Sequence, residues 1–352
     1  MGLKLFLKIF GVITIILVLI PLIAVNYWWI RIFDFPHLQL TLLTLVAILI
    51  YFIRFDVKSL GDYFFVLVML SGFIFQLIKI FPYTGLASYE LLSAEHKRSD
   101  SKLKIFTSNV YQKNNQIDKV VKEAKRHNAD VMLFTETHQW WIDQLSNSFD
   151  ESYDYQIKVP LDNTYGMYML SRLPIVDAEV KYLVDDSIPS IHGFLKLRNQ
   201  KLVKLHAIHP TPPMPQENPM STERDAELMK VALESRDSDI PVIVMGDFND
   251  VAWSQSTKLF QQVSGLLDMR KGRGFYNTYS AESMLLRWPL DHLFISSDFR
   301  YGSMERGKNV GSDHFPFVAT IYLEEEGKKR QGLPKPNQEQ LEIARKEIRK
   351  AQ

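Results

Sequence analysis

The chain contains no cysteine. That excludes disulfides, thiolate metal sites and a cysteine nucleophile, so any chemistry it performs uses other groups. It leaves the compartment open. Also missing are a glycine-rich phosphate loop, a histidine pair at helical spacing and a Gly-x-Ser-x-Gly nucleophile elbow. No internal repeat is evident. Strong net charge is absent as well: the 352 residues carry +1, and residues 100–323 hold 25 Lys+Arg against 29 Asp+Glu. A net of −4 in that stretch lacks the positive balance by which proteins hold long nucleic acids.

What is present is unevenly spread. Hydrophobic residues make up 46% of the chain, and most of the excess precedes residue 86. Leu3 to Val25 is apolar except for Lys4, Lys8, Thr14 and Pro21; Leu38 to Ile53 and Tyr63 to Phe81 are two further apolar runs. Roughly 20 apolar residues cross a hydrocarbon core of about 30 Å, so three membrane helices are expected. A cleaved signal peptide is a poorer reading, because the first run is long and two more follow it. Lys4, Lys8, Arg54 and Lys58 gather on one side of the three spans. Positive residues favour the cytoplasmic side, so the N-terminus is expected inside and everything after residue 85 on the extracytoplasmic face of the cell membrane.

Four regions follow: a membrane anchor over 1–85, a polar linker over 86–101, a soluble domain over 102–323 and a charged tail over 324–352. The tail is read as ending in a solvated helix near Gln338–Lys350. The soluble domain alternates short strand-like runs with a few amphipathic helices, without regular βαβ repetition. Leu103–Val110, Val131–Phe134, Leu202–His209, Pro241–Met245, Trp288–Ile295 and Phe317–Leu323 read as strands. Ile117–His127, Thr222–Ser235 and Thr257–Val263 read as helices. The order is that of an α+β sandwich.

Polar residues cluster at the strand ends: Asn109, Glu136, His209, Asp247, Asn249, Asp291, Asp313 and His314. Pro241 to Asn249 is the clearest case, a buried strand entering a turn at Gly246. Asp247 and Asn249, one residue apart, would share one side of an extended segment. Each such residue alone is as easily an ordinary strand-end turn. Together, oxygen donors without thiols favour a hard cation such as Mg or Mn, which neutralises phosphate oxygens and acidifies water. Histidines beside acids suit proton transfer or charge stabilisation.

The ordered motifs Ser-Asn109-Val, Thr-Glu136-Thr, His209, Gly-Asp247-Phe-Asn249, Leu-Asp291-His-Leu-Phe and Ser-Asp313-His314 resemble the endonuclease/exonuclease/phosphatase (DNase-I-like) superfamily over about residues 102–323. The resemblance implies an α/β fold: a four-layer α-β-β-α sandwich of two packed β-sheets, here preceded by the three-helix transmembrane segment. It also implies metal-dependent phosphoester hydrolysis. Glu136 would bind the metal, with Asn109 beside it and Asp313 completing or supporting the site. Asp247 and Asn249 would orient the attacking water and the phosphate. His314, oriented by Asp291, would act as base or charge stabiliser, and His209 would donate to the phosphoryl oxygens. Tyr111 departs from the pattern, since several DNA-repair members carry an acid there. Arg172 and His192 are further candidates for the cleft wall, each weighed against an ordinary surface or core role. His292 and His206 are weaker candidates; His292, facing the opposite side of its strand from Asp291, is read as packing or as support behind the site.

Three spans before such a domain resemble the membrane-anchored teicoplanin-resistance type of the superfamily, which implies a phosphorylated lipid substrate held at the bilayer. The partners expected are therefore the lipid bilayer and such a lipid, with no obligate protein partner. An extracytoplasmic nuclease and a catalytically silent membrane receptor or scaffold are the alternatives. The acidic balance disfavours nucleic acid, and retention of the polar set disfavours silence.

Overall fold

The computed structural model describes residues 2–23, 25–149 and 151–352. Its N-terminal part contains α1 (Leu3–Leu19), the short α2 (Trp28–Arg31), α3 (His37–Tyr51) and α4 (Leu60–Ile80). With their 3₁₀ extensions, Leu3–Leu22, His37–Arg54 and Leu60–Tyr83 are three helices long and apolar enough to cross a membrane. Lys4 meets the buried Asp62 at 2.5 Å and Lys8 lies 3.6 Å from it, tying the start of α1 to the start of α4. The other end of the bundle meets the sandwich.

Two six-stranded sheets make up that sandwich. In chain order the strands of the first sheet are β1 (Lys102–Asn109), β2 (Val131–Thr135), β3 (Tyr155–Val159), β4 (Met167–Ser171), β11 (Phe299–Arg306) and β12 (Phe317–Leu323). The second holds β5 (Ile175–Lys181), β6 (Ser190–Lys196), β7 (Leu202–Ile208), β8 (Val242–Asp247), β9 (Leu267–Asp268) and β10 (Asp291–Ile295). The spatial orders are β11-β12-β1-β2-β4-β3 and β5-β6-β7-β8-β10-β9. Each sheet has one central parallel pair, β1 with β2 and β7 with β8, flanked by antiparallel neighbours. Parallel neighbours send their C-terminal ends the same way, and antiparallel β12 and β10 bring their starts to that same edge.

Alternation along the strands explains the layers. Leu103, Ile105, Leu133, Leu205, Ile243, Leu293 and Ile321 point between the sheets and form the central core. Phe106, Met132 and Phe134 face outward onto α5 (Ile117–His127) and α6 (Gln139–Ser148). Val242, Val244 and Phe294 face the opposite way onto α7 (Thr222–Arg236) and α8 (Gln255–Ser264). The chain therefore has the four-layer, DNase-I-like α-β-β-α architecture.

Three elements carry too weak a sequence signal to be expected. Helix α6 shows only Trp141, Ile142 and Leu145 as buried positions, blurred by Trp140. Strand β9 is two residues long, and β11 is an edge strand interrupted by a bulge at Tyr301–Ser303. The 86–101 segment runs along that edge: Ala94 N donates to Tyr301 O at 2.8 Å and Tyr301 N to Leu92 O at 2.9 Å. It covers a row of backbone groups that would otherwise invite pairing with another chain. The tail helix α9 (Gln338–Lys350) is not fully solvated. Leu341, Ala344 and Ile348, at i, i+3 and i+7, form an apolar stripe that packs on the α7–α8 layer.

Candidate active site

At the shared edge of the two sheets the strand-end residues converge. Asn109 closes β1 and Glu136 follows β2. His209 follows β7, Asp247 ends β8 and Asp291 begins β10, directly opposite Asp247 in register. Asp313 and His314 sit on the loop entering β12. Asn109, Glu136, His209, Asn249, Asp313 and His314 line one cleft of about 370 Å³, with Asp247 and Asp291 immediately behind.

Local backbone explains this convergence. Gly246 has φ +135°, and a Cβ there would lie 2.0 Å from Ile208 O, so only glycine lets β8 leave its parallel neighbour at this point. Three non-glycine residues leaving the strands, Tyr111, Glu136 and Asn249, have φ of 57°, 61° and 50°. Left-handed backbone of this kind costs on the order of 1 kcal/mol or more per residue and gathers at functional sites. It also corrects the extended reading of Asp247 and Asn249. Asn249 turns back, its N–H donating to Asp247 Oδ1 at 3.0 Å and its side-chain amide to Pro210 O at 2.9 Å.

The polar groups interlock. Asn109 Nδ2 donates to Glu136 Oε1 at 2.8 Å and to Asp247 Oδ2 at 3.2 Å. Gln112 N donates to Glu136 Oε2 at 3.1 Å. His314 Nδ1 and Asp291 Oδ2 are 2.8 Å apart, while His314 Nε2 lies 3.5 Å from Asp247 Oδ2. His209 Nε2 lies 3.9 Å from the same Asp247 oxygen, and its buried Nδ1 has no partner among the described residues.

Burial pushes the Glu136 carboxyl above its ordinary range, opposed by His209 and by its hydrogen bonds. For His314, burial disfavours the charged ring, but the carboxylates of Asp247 and Asp291, then Asp313, outweigh it and raise it to about 10. Those carboxylates favour the protonated ring.

Among the described residues, neither lysine nor arginine lines this cleft. The carboxylates of Glu136, Glu217 and Asp313 instead face it, with those of Asp247 and Asp291 just behind. An anionic ligand would meet repulsion there unless a cation joined it, and all-oxygen donors with one amide suit a hard divalent ion. The residues present fit such a metal: Glu136 and Asp313 would hold it, with Asn109 fixing the Glu136 carboxylate. Asp247, Asp291 and His314 also lie close enough together to share an ion.

Two predicted residues are not in the cleft. Arg172 follows β4 at the end opposite the cleft, half-buried, donating to Asn128 Oδ1 at 2.5 Å and lying over the Tyr153 ring. His192 points to the outer face of the second sheet, its Nδ1 2.6 Å from His206 Nδ1 and its Nε2 2.7 Å from Ser190 Oγ. Strand periodicity alone does not tell which face of β6 is covered by a helix, and α7 covers this one. Burial lowers both imidazoles below their ordinary range. Glu234 beside them is already balanced by Lys204 at 3.1 Å and Lys181 at 3.8 Å. His292 packs against the Phe248 ring at 4.7 Å, with Nε2 2.9 Å from Asp250 O.

Other contributors carry no motif. Buried Arg224 on α7 donates to Asn249 O at 2.9 Å and lies 3.4 Å from Asp250, bracing the turn from behind. Thr278 Oγ1 accepts from Asp291 N at 3.2 Å. Tyr165 lies beside the His209 ring at 5.4 Å and Tyr279 beside His314 at 5.0 Å. The only prior signal for the brace was Asp250, the fourth residue of Asp-Phe-Asn-Asp.

Comparison with known proteins agrees with this geometry. The model of the Endonuclease/Exonuclease/phosphatase family matches residues 106–314, from within β1 to His314. No curated protein matches the sequence. Among solved structures, D. rerio TDP2 complexed with single strand DNA product is similar with a TM-score of 0.53 at 17% identity, covering 63% of this chain and 99% of that one. An endonuclease/exonuclease/phosphatase from Bacteroides vulgatus gives 0.50 at 18%, covering 64% and 100%. A functionally unknown conserved protein from Enterococcus faecalis V583 gives 0.50 at 16%, covering 63% and 100%. At these identities the likeness is one of fold.

Proposed function

The chain belongs to the endonuclease/exonuclease/phosphatase family, generally phosphoester hydrolases, and from that premise we propose a membrane-anchored, divalent-metal-dependent phosphohydrolase. Its substrate is a phosphorylated lipid, cleaved at a phosphoester or pyrophosphate bond on the extracytoplasmic face of the membrane. The observation that carries this reading is the cleft itself: carboxylates and a His314–Asp291 pair, no lysine or arginine among the described lining residues, at the mouth of an apolar anchor.

Glu136 and Asp313 would hold a Mg or Mn ion, which would supply charge neutralisation at the phosphate oxygens. The protein's own groups do the rest. Asp247, held by Asn109 and by the Asn249 N–H, accepts the proton of the attacking water. His314 donates from Nε2 to the phosphoryl group as charge builds, and Asp291 keeps its ring oriented. His209 offers a second donor, positioned by Tyr165. Water attacks in line, and no covalent bond to the enzyme forms.

Hydrolysis is tested on the full chain in detergent micelles with Mg, using a lipid pyrophosphate, a lipid phosphodiester and plasmid DNA. Glu136→Ala and His314→Ala are each expected to lower kcat by about 10²–10³-fold on the lipid substrate. EDTA is expected to abolish turnover. Unchanged turnover in both variants, or preference for DNA, sinks the proposal.

A further inference from the structure

The wall of the cleft nearest the membrane is not supplied by the sandwich. Ile32 and Phe35, from the loop joining the first two apolar helices, line it together with Met214, Trp288 and Leu290. Phe35 meets Trp288 edge-to-face at 5.6 Å. His37, two residues on, begins the second apolar helix.

That loop is held firmly. Trp253 Nε1 donates to Asp34 O at 2.7 Å, Trp28 N to Pro219 O at 2.8 Å and Ser221 N to Asn26 O at 2.7 Å. From the end of the third apolar helix, Tyr83 OH donates to Ala252 O at 2.8 Å. Ile80, Tyr83, Trp253 and Leu290 share one apolar cluster, onto which Phe35 and Leu38 pack. The arrangement is a built joint, and its two sides enclose one cleft. Beyond Trp288, the 283–286 turn presents Met284, Leu285 and Leu286 to solvent, 88%, 81% and 52% exposed, and Gln39 Nε2 donates to Leu285 O at 2.7 Å. Apolar surface therefore continues from the cleft to the membrane-crossing helices.

We infer that the 32–35 loop of the anchor is part of the substrate site, and that Ile32 and Phe35 select substrates carrying an apolar chain. This rests on the phosphohydrolase reading above. The phosphate lies at the polar floor, by His314 and Asp313, and the first carbons of its chain lie against Phe35, Ile32 and Trp288. From there the chain passes directly into the bilayer beside the second apolar helix. Mixed character is the physical basis: a polar floor orients the head, and burial of each CH₂ tightens binding about fourfold, so affinity grows with chain length until the wall ends. A free phosphate gains nothing from that wall.

A homologous series of alkyl phosphoesters, from short and water-soluble to long-chain, tests the inference on the full-length protein in micelles of fixed composition. Wild type is expected to show kcat/KM rising with chain length, carried by KM. Phe35→Ala is expected to reduce the long-chain to short-chain ratio of kcat/KM at least tenfold, and Phe35→Leu to restore most of it. Comparing variants in identical micelles cancels substrate partitioning. A ratio equal in wild type and Phe35→Ala, or an equal fall on all chain lengths, overturns the inference while short-chain turnover leaves the phosphohydrolase reading standing. No turnover of any member by wild type overturns both.

Discussion

Asn109 at the end of one sheet donates its side-chain amide to Asp247 at the end of the other, at 3.2 Å, while the same nitrogen donates to Glu136 at 2.8 Å. One amide thus couples the residue proposed to hold metal with the residue proposed to receive the water's proton. It also links the two sheets at this edge, as the His314–Asp291 pair does at 2.8 Å.

Asn109→Asp replaces that donor with a third carboxylate between two others. It is expected to lower kcat by about 10²-fold on a soluble phosphoester, because a preorganised donor is lost and like charges crowd the floor. Steady-state kinetics with Mg check this; a kcat within twofold of wild type would remove Asn109 from the site.

Asp291 is buried and held by Thr278, with one oxygen on His314. Asp291→Asn keeps the shape but removes the charge that orients and ionises the ring. The expected loss in kcat is about 10²–10⁴-fold with little change in KM, measured beside circular dichroism to show that the fold persists.

Gly246→Ala is expected to fail structurally. Its Cβ would lie 2.0 Å from Ile208 O at φ +135°, so β7 and β8 must separate where His209 and Asp247 leave them. A cost of at least about 3 kcal/mol follows, read as a lowered Tm in detergent.

Glu227 on α7 gives a pH prediction. Burial raises its carboxyl to about 8, and its Oε1 has no partner among the described residues. The folded state therefore holds a proton that the unfolded chain releases near its ordinary value of 4.5. Stability should fall as pH rises from that value toward 8, by at most about 1.4 kcal/mol per pH unit, and level off above. Glu227→Gln should remove this slope, and thermal denaturation across pH 4.5–8.5 measures it.

Trp253 joins the anchor to the sandwich. Trp253→Phe keeps an aromatic ring against Tyr83 but loses the bond to Asp34 O, at about 1 kcal/mol. Trp253→Ala also opens a cavity, at about 3–5 kcal/mol. Protease sensitivity between anchor and sandwich should rise in that order.

Much of this protein is determined by its sequence alone. The three apolar helices, the sandwich and the eight strand-end residues now found around one cleft are all legible there. Hydrophobic length and strand alternation are local properties, and a motif order survives without coordinates. What lies outside that reach depends on which surfaces meet. His192 and Arg172 are legible as polar residues beside strands, but only the packing of α7 behind β6 and the antiparallel run of β4, which carries Arg172 to the end opposite the cleft, decide that neither reaches it. Asn249 turns back because Gly246 and the Ile208 carbonyl leave no other path. The stripe of Leu341, Ala344 and Ile348 is visible in the tail, yet the layer it covers is set by tertiary contact. Ile32 and Phe35 show the difference most sharply: in sequence they precede a long apolar helix, and only docking of that segment onto Trp253 and Leu290 turns them into a wall of the cleft.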